Sequence, residues 1–232
     1  MANQGLLFVI GECGPKVSVD EFNDWYDNEH APKRLTVPGF SNAVRYKAID
    51  EQTPTWLAMY DLVTSSVPYH APYKALSSQP SEKDKSIIPR MEFFTRSVWE
   101  LISEKSHPTA PSGSTVAKHI LIVTCLAPPE SAEDFNKWYE DEHIPEILRL
   151  GCFRARRYKL MESVDLTKKT NPSVNEVHNY LAIYDWDNDD YFNTTEFKAS
   201  VQTPWAVKAL APPVQTGLRR FNLHKDIQRA TL

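Results

Sequence analysis

Glycine is scarce in this 232-residue chain, at seven residues, and none of the seven sits in a phosphate-cradling loop. A dinucleotide cradle is therefore not expected. The chain also lacks a GxSxG elbow, an HExxH helix and a CxxC pair, which removes the commonest nucleophile and metal signatures. Its three cysteines, Cys13, Cys125 and Cys152, are odd in number and have no metal-ligand spacing. They read as small buried hydrophobes in a reducing compartment. The seven histidines are scattered with no pair at ligand spacing, so neither a metal nor another cofactor is expected.

Positive charge is short as well. The net charge of −4 provides no basic stripe, which argues against nucleic acid and anionic membranes as partners. No apolar run approaches the roughly 20 residues of a membrane span. Residues 6–10 form a short apolar run without a basic flank or cleavage site, so no signal peptide is expected. A cytoplasmic protein is the default expectation. What remains is an ordinary globular mixture, 41% hydrophobic and 24% charged.

The informative feature is a phrase written twice. "DWYDNEHAP" at 24–32 recurs as "KWYEDEHIP" at 137–145, an offset of 113. Phe22, Asn23, Trp25, Tyr26, Glu29, His30 and Pro32 meet Phe135, Asn136, Trp138, Tyr139, Glu142, His143 and Pro145. "RYK" at 45–47 recurs at 157–159, and "LAMYD" at 57–61 recurs as "LAIYD" at 181–185. The offset grows to 124 through a polar insertion around "LTKKTNPSVNE" that reads as a loop. The larger offset also aligns Pro80 with Pro204. These matches make the chain an internal duplication of a domain-sized unit. The expected boundaries are 1–102 for the first repeat, a Ser/Pro-rich linker at 103–117, and 118–232 for the second.

Each copy reads as strand, helix, two strands, helix, strand. "LLFVIGE" and "HILIVTCL" are short β-branched runs. "SVDEFNDWYDNEH" opens on a Ser18–Glu21 capping box, with Ser131 and Asp134 as a looser version. The order β-α-β-β-α-β is the ferredoxin-like split motif. A lone four-stranded sheet leaves one face bare, and two copies facing their sheets together would cover it. The expected fold class is α+β: two tandem ferredoxin-like repeats forming an intramolecular dimeric α+β barrel, with helices outside and an enclosed cavity between the sheets.

On an ideal helix Phe22, Trp25, Tyr26, Glu29 and His30 fall on one face, as do their counterparts. Pro32 and Pro145 are expected to stop the helix just beyond each histidine. His30 and His143 then read in two ways: as structural groups at a helix end, or as proton carriers on the inner side. Trp25 and Trp138 read as core or as a ligand stack. Arg45 and Arg157 alternate with Tyr46 and Tyr158, so one of each pair faces the expected cavity and the other the helices. Tyr60 and Tyr184 repeat too, as core residues or as phenolic hydrogen-bond donors. The remaining histidines (His70, His107, His119, His178 and His224) have no counterpart and read as solvated or packing groups.

The W-Y-x-x-E-H-x-P phrase, followed by "VPGF" at 37–40 and an Arg-Tyr strand, resembles the dimeric α+β barrel superfamily, nearest its EthD-like branch. The second copy departs at "RLGCF" (149–153), where the proline before glycine is missing. The superfamily includes polyketide cyclases, decarboxylases, lactone isomerases, cofactor-free oxygenases and haem-degrading enzymes. The resemblance implies an apolar cavity with His30 and His143 as general base or acid. It also implies that Tyr60, Tyr184, Arg45 and Arg157 polarise a carbonyl or hold an enolate.

The leading expectation is a cofactor-independent lyase or isomerase of secondary metabolism acting on an apolar aromatic or polyketide-like small molecule. The alternatives are a cofactor-free or haem-dependent oxygenase, and a non-catalytic, stress-associated ligand-binding barrel with structural histidines. The chain supplies its own pseudo-dimer, and a further homodimer remains open.

Overall fold

The computed structural model describes residues 3–110, 116–169 and 178–227. The fold is mixed α+β. It contains eight strands among the described residues. The chain divides into two compact units: Met1–Leu101 with Leu160–Ser173 and Leu223–Leu232, and Ile102–Lys159 with Val174–Asn222.

The first unit runs β1 (Gly5–Glu12), α1 (Val19–Trp25), a π-helical turn (Tyr26–His30), α2 (Ala31–Leu35), β2 (Ala43–Ala48), β3 (Trp56–Leu62), α3 (Ala71–Ser78), α4 (Glu82–Ile87) and β4 (Phe93–Ser106). β1 lies between β3 and β4, both antiparallel to it, and Leu7 is in register with Tyr60. The second runs β5 (His119–Leu126), α5 (Pro129–Trp138), a π-helical turn (Tyr139–His143), α6 (Ile144–Arg149), β6 (Arg154–Asp165), β7 (Tyr180–Trp186), α7 (Thr195–Ala199), α8 (Pro204–Ala209) and β8 (Gln215–Ile227). There β5 lies between β7 and β8, with Leu121 opposite Tyr184.

Three boundaries depart from the sequence expectation. β4 continues through Ser106, so the stretch expected to begin a linker at 103 is still strand. The second-copy insertion first lengthens β6 to Asp165, and its later part, 170–177, lies outside the described residues, as does 111–115 of the linker. The units also do not cut at 102 and 118, because residues 160–173 and 223–232 belong to the first. Long strands of alternating burial simply carry on where composition alone turns polar.

The helix that bears the repeated phrase is not a plain α-helix. Ser18 caps α1 by accepting from the Glu21 amide at 3.1 Å, but Glu21's carboxylate turns to Arg90 instead of closing a capping box. In the second copy Pro128 is the N-cap, Ser131 lies inside α5, and Asp134 pairs with Lys208 at 3.0 Å. The prolines do not end the helix. Pro32 lacks the N–H that an α-turn would donate to residue 28, and its ring would crowd that carbonyl. The chain widens into a π turn in which the Ala31 amide reaches the Tyr26 carbonyl, then resumes as α2. Pro145 follows the same course after His143.

That widening resets the helix phase. In a regular α-helix Glu29 would lie at the middle of the Phe22/Trp25/Tyr26 face and His30 at its edge. The wider turn lags in rotation, bringing His30 inward and leaving Glu29 at the surface with Lys33, 2.8 Å away. Phe22, Trp25, Tyr26 and His30 are all buried.

After α2 the chain turns at Gly39, whose φ of +98° only glycine adopts easily, and Gly151 does the same at +105°. The missing proline in "RLGCF" therefore leaves the turn conformation unchanged. One core lies between the helices and sheet of the first unit, around Leu7, Trp25, Tyr26, Tyr60 and Phe94. Another lies in the second, around Leu121, Trp138, Tyr139 and Tyr184.

Candidate functional site

The π turn seats His30 against Trp25, Tyr26 and Phe94, at ring-centroid separations of 4.3, 4.9 and 5.9 Å. This is the layer between the helices and the sheet of its own unit. The sequence expectation placed the histidine toward a cavity enclosed between two sheets. The structure turns it instead onto the sheet face that its own helix covers, because that face carries the aromatic partners.

A second helix completes the site. Asp84 on α4 accepts the Trp25 indole N–H at 3.0 Å through Oδ1, and His30 Nδ1 lies 2.8 Å from the same oxygen. Asp84 is itself fixed by a capping box: its amide donates to Ser81 Oγ at 3.1 Å, and its Oδ2 accepts the Ser81 amide at 3.0 Å. Burial alone would raise the Asp84 carboxyl, but its hydrogen bond with His30 and the Ser81 and Trp25 donors hold it well below the usual carboxylate range. It is therefore an acceptor only, and His30 must supply the proton of the 2.8 Å contact from Nδ1. Nε2 then carries the lone pair. That nitrogen is buried and makes no hydrogen bond. Burial, reinforced by the Arg34 charge, pushes His30 down to about 3 against the pull of Asp84. The imidazole is neutral at physiological pH.

Tyr60 and Tyr26 meet hydroxyl to hydroxyl at 3.1 Å. Burial raises both phenols, Tyr60 well above its ordinary value, so both stay protonated donors. Arg34, one turn past His30, gives Nη1 to the His30 carbonyl at 2.7 Å, while its Nε is enclosed and makes no hydrogen bond. Two kinds of group thus converge in one unit: a carboxylate-oriented neutral imidazole with a free nitrogen, and donors suited to a developing oxyanion.

The second unit repeats the rings but not the dyad. His143 stacks on Trp138 at 4.6 Å and meets Tyr139 and Tyr184 at 5.2 and 5.9 Å. The Trp138 indole donates to Glu142 at 3.1 Å, and Thr203 also donates to that carboxylate. Ser81 and Thr203 are the corresponding N-caps, so the structural offset there is 122 rather than 124, and Pro80 and Pro204 are not equivalent. Three residues past each cap stand Asp84 and Ala206. Among the described residues His143 consequently has no carboxylate hydrogen-bonded to it, and its Nδ1 makes no hydrogen bond. Burial, then the Arg157 charge, lower it to about 4.

Arg45 and Arg157 face the helices, and Tyr46 and Tyr158 the opposite side. Arg45 pairs with Asp27, donates to Asn23 at 2.8 Å and lies over Tyr26 at 4.6 Å. Arg157 donates to Asn136 at 2.8 Å and lies over Tyr139 at 3.9 Å. Each ties its strand to its own helix, which accounts for the repeated Phe-Asn pair.

The sequence reading missed Asp84, Arg34 and Tyr26 as parts of the site. It expected one helix where the first unit has α3 and α4. The signal was present as a second Ser-x-x-Asp capping box at Ser81–Asp84.

Among the described residues, no helix is long and apolar enough to cross a membrane.

The model of a domain of unknown function, DUF4286, matches residues 118–202, less than half the chain. No curated protein sequence matches. Solved structures do. An anthrone oxidase-like protein aligns over 100% of this chain and 98% of its own, with a TM-score of 0.59 at 11% identity. A candidate monooxygenase from Fusobacterium nucleatum subsp. nucleatum aligns over 100% and 97%, at 0.59 and 9%. A mutant chlorite dismutase from Candidatus Nitrospira defluvii, in complex with cyanide, aligns over 97% and 92%, at 0.55 and 9%. These neighbours are dimeric α+β barrel proteins, and at such identities the likeness concerns the fold.

Proposed function

We propose that the first unit houses a cofactor-independent acid–base site in which His30 Nε2 is the general base. The observation that carries this is the 2.8 Å contact between His30 Nδ1 and Asp84 with Nε2 left unpaired. Asp84 fixes the tautomer, and burial keeps the base neutral. The substrate is an apolar aromatic or polyketide-like small molecule with an acidic C–H beside a carbonyl. Nε2 takes that proton, and the Tyr60 and Tyr26 hydroxyls, with Arg34, hold the enolate. Reprotonation elsewhere gives isomerisation; expulsion of a leaving group gives a lyase. Asp84 has no counterpart beside His143, so the second copy is the structural one. The tandem duplication and the EthD-like branch belong to the same reading.

A second reading shares the first step. An aromatic enolate is electron-rich enough to react with dioxygen directly, and two of the structural neighbours are described as an oxidase-like protein and a monooxygenase. Anthrone, the compound in the first neighbour's name, tests both. In deuterated buffer under nitrogen, wild type and His143→Gln should exchange the methylene protons of anthrone, while His30→Gln should not. In air, oxygen uptake with formation of the quinone and water would select the oxygenase. Equal exchange by His30→Gln and wild type would refute the base assignment.

A further inference from the structure

We infer that Trp25 is a positioning residue of this site: its indole N–H occupies the Asp84 oxygen that orients His30, and sets how strongly that oxygen draws the imidazole proton. The inference deepens the reading above and rests on its placing the base at His30.

The π turn is what lets one oxygen serve two rings. Trp25 and His30 stand five residues apart, which on a regular α-helix would turn them about 140° away from each other. The wider turn, closed between residues five apart, brings them back to one side. Their ring centroids lie 4.3 Å apart, and Trp25 Nε1 and His30 Nδ1 reach Asp84 Oδ1 at 3.0 and 2.8 Å. The other carboxylate oxygen, Oδ2, accepts the Ser81 amide at 3.0 Å. Among the described residues, Trp25 and His30 are the two side chains hydrogen-bonded to Oδ1.

Burial of an indole does not require this acceptor. Trp138 is as deeply buried as Trp25, precedes the same kind of π turn and stacks on its own histidine at 4.6 Å. Its N–H goes to Glu142, four residues ahead in the chain, at 3.1 Å. Trp25 has the same acid four residues ahead, Glu29, but Glu29 pairs with Lys33 and the indole reaches across to α4 instead. The copy that carries a histidine–carboxylate pair is thus the copy whose tryptophan joins that pair.

The chemical effect follows from sharing. Against the pull of burial, the indole is one of the donors that keep the Asp84 carboxylate ionised, with His30 and the Ser81 amide. A carboxylate stabilised by a second donor pulls less on the Nδ1 proton. An imidazolium formed by proton uptake at Nε2 is then readier to return its proton to the enolate. Beyond burial, the charged groups acting on His30 are Arg34 and Lys33 on α2 and Asp84 on α4, while the sheet presents the Phe94 ring. Both cations oppose the imidazolium, in the same direction as the indole.

The test reads the one-bond nitrogen–proton coupling of His30 Nδ1–H at pH 7. This coupling shrinks as the proton is drawn toward its acceptor, and ring currents do not touch it. Wild type is compared with Trp25→Phe, with Trp138→Phe, and with wild type produced on 5-fluorotryptophan, a stronger N–H donor of nearly the same shape. With the Ser81 amide still holding Oδ2, Trp25→Phe should shrink the coupling and the fluorinated indole should enlarge it. Trp138→Phe, which removes an equally buried N–H, should leave it unchanged. Should Trp25→Phe fail to fold, the fluorinated protein decides alone. A coupling that stays constant or moves the other way in either folded sample would overturn the inference and leave the base assignment standing. So would an equal change in Trp138→Phe. A wild-type His30 that carries its proton on Nε2 would refute the base assignment itself, and the inference with it.

Discussion

His30 and Asp84 are joined at 2.8 Å through Nδ1 and Oδ1, whereas His143, its partner in the repeated phrase, has only Ala206 at the position of that acid. One copy therefore carries a carboxylate-oriented imidazole, and the other carries the same rings without it. The asymmetry has energetic as well as chemical consequences.

Removing the acid should cost stability in the first unit. Asp84→Ala strips the acceptor from the Trp25 indole and from His30, and opens the Ser81 capping box. A loss of about 3 kcal/mol is expected from the stranded buried donors. Thr203→Ala, which removes the N-cap of α8 and one donor to Glu142, should cost about 1 kcal/mol. Urea unfolding monitored by circular dichroism compares them.

The two histidines should make the protein acid-sensitive well above the carboxylate range. Unfolded, each takes a proton near 6.5; folded, His30 does so only at about 3 and His143 at about 4. The unfolded chain thus binds more protons between these values, so stability is full above 6.5 and falls as pH drops. The expected slope is about 1.4 kcal/mol per pH unit for each histidine. Asp84 adds to the loss only below its unfolded value of 3.8, outside the window from 6.5 to 4. Unfolding midpoints at pH 7 and pH 5 should lie closer together in His143→Gln than in wild type.

The strand-to-helix ties should outweigh the surface pairs. Arg45→Ala leaves Asp27 to Lys225, 3.1 Å away, and empties a space lined by Phe22, Tyr26 and Trp56. About 3 kcal/mol is expected. Lys33→Ala breaks an exposed pair with Glu29 and should cost less than about 1 kcal/mol. Denaturant titration of both variants reads the difference.

The two glycine turns should respond unequally to a methyl group. A Cβ at Gly39 would lie 2.6 Å from Val67 Cγ2, whereas at Gly151 the nearest atom is Trp186 Cζ3 at 3.9 Å. Gly151→Ala should cost about 1 kcal/mol for its left-handed backbone, and Gly39→Ala should cost clearly more because packing must also shift. Thermal melts of the pair check this.

The inward turn of Phe22, Trp25 and Tyr26 and the order of the elements were legible in the sequence, because apolar spacing and β-branched runs report burial directly. The π turn was not. The proline after each histidine reads as a stop signal, and only the packing of the aromatic face shows that the helix widens and goes on. Asp84 escaped notice because it lies 54 residues from His30 in the chain and in a charged segment that looks solvent-facing. The side on which Arg45 points was undecidable from alternation alone; Asn23 and Asp27 on the facing helix decide it.

The account rests on His30 presenting an unprotonated Nε2 from a ring fixed through Nδ1–H to Asp84. Two-bond proton–nitrogen correlation spectra of the imidazoles, recorded from pH 8 to pH 5 with Asp84→Asn as the reference, observe that state directly. A neutral Nδ1–H tautomer at His30 that persists across the range in wild type, and is lost in Asp84→Asn, is the result predicted. A proton on Nε2 at neutral pH, or titration of His30 near 6.5, would contradict it.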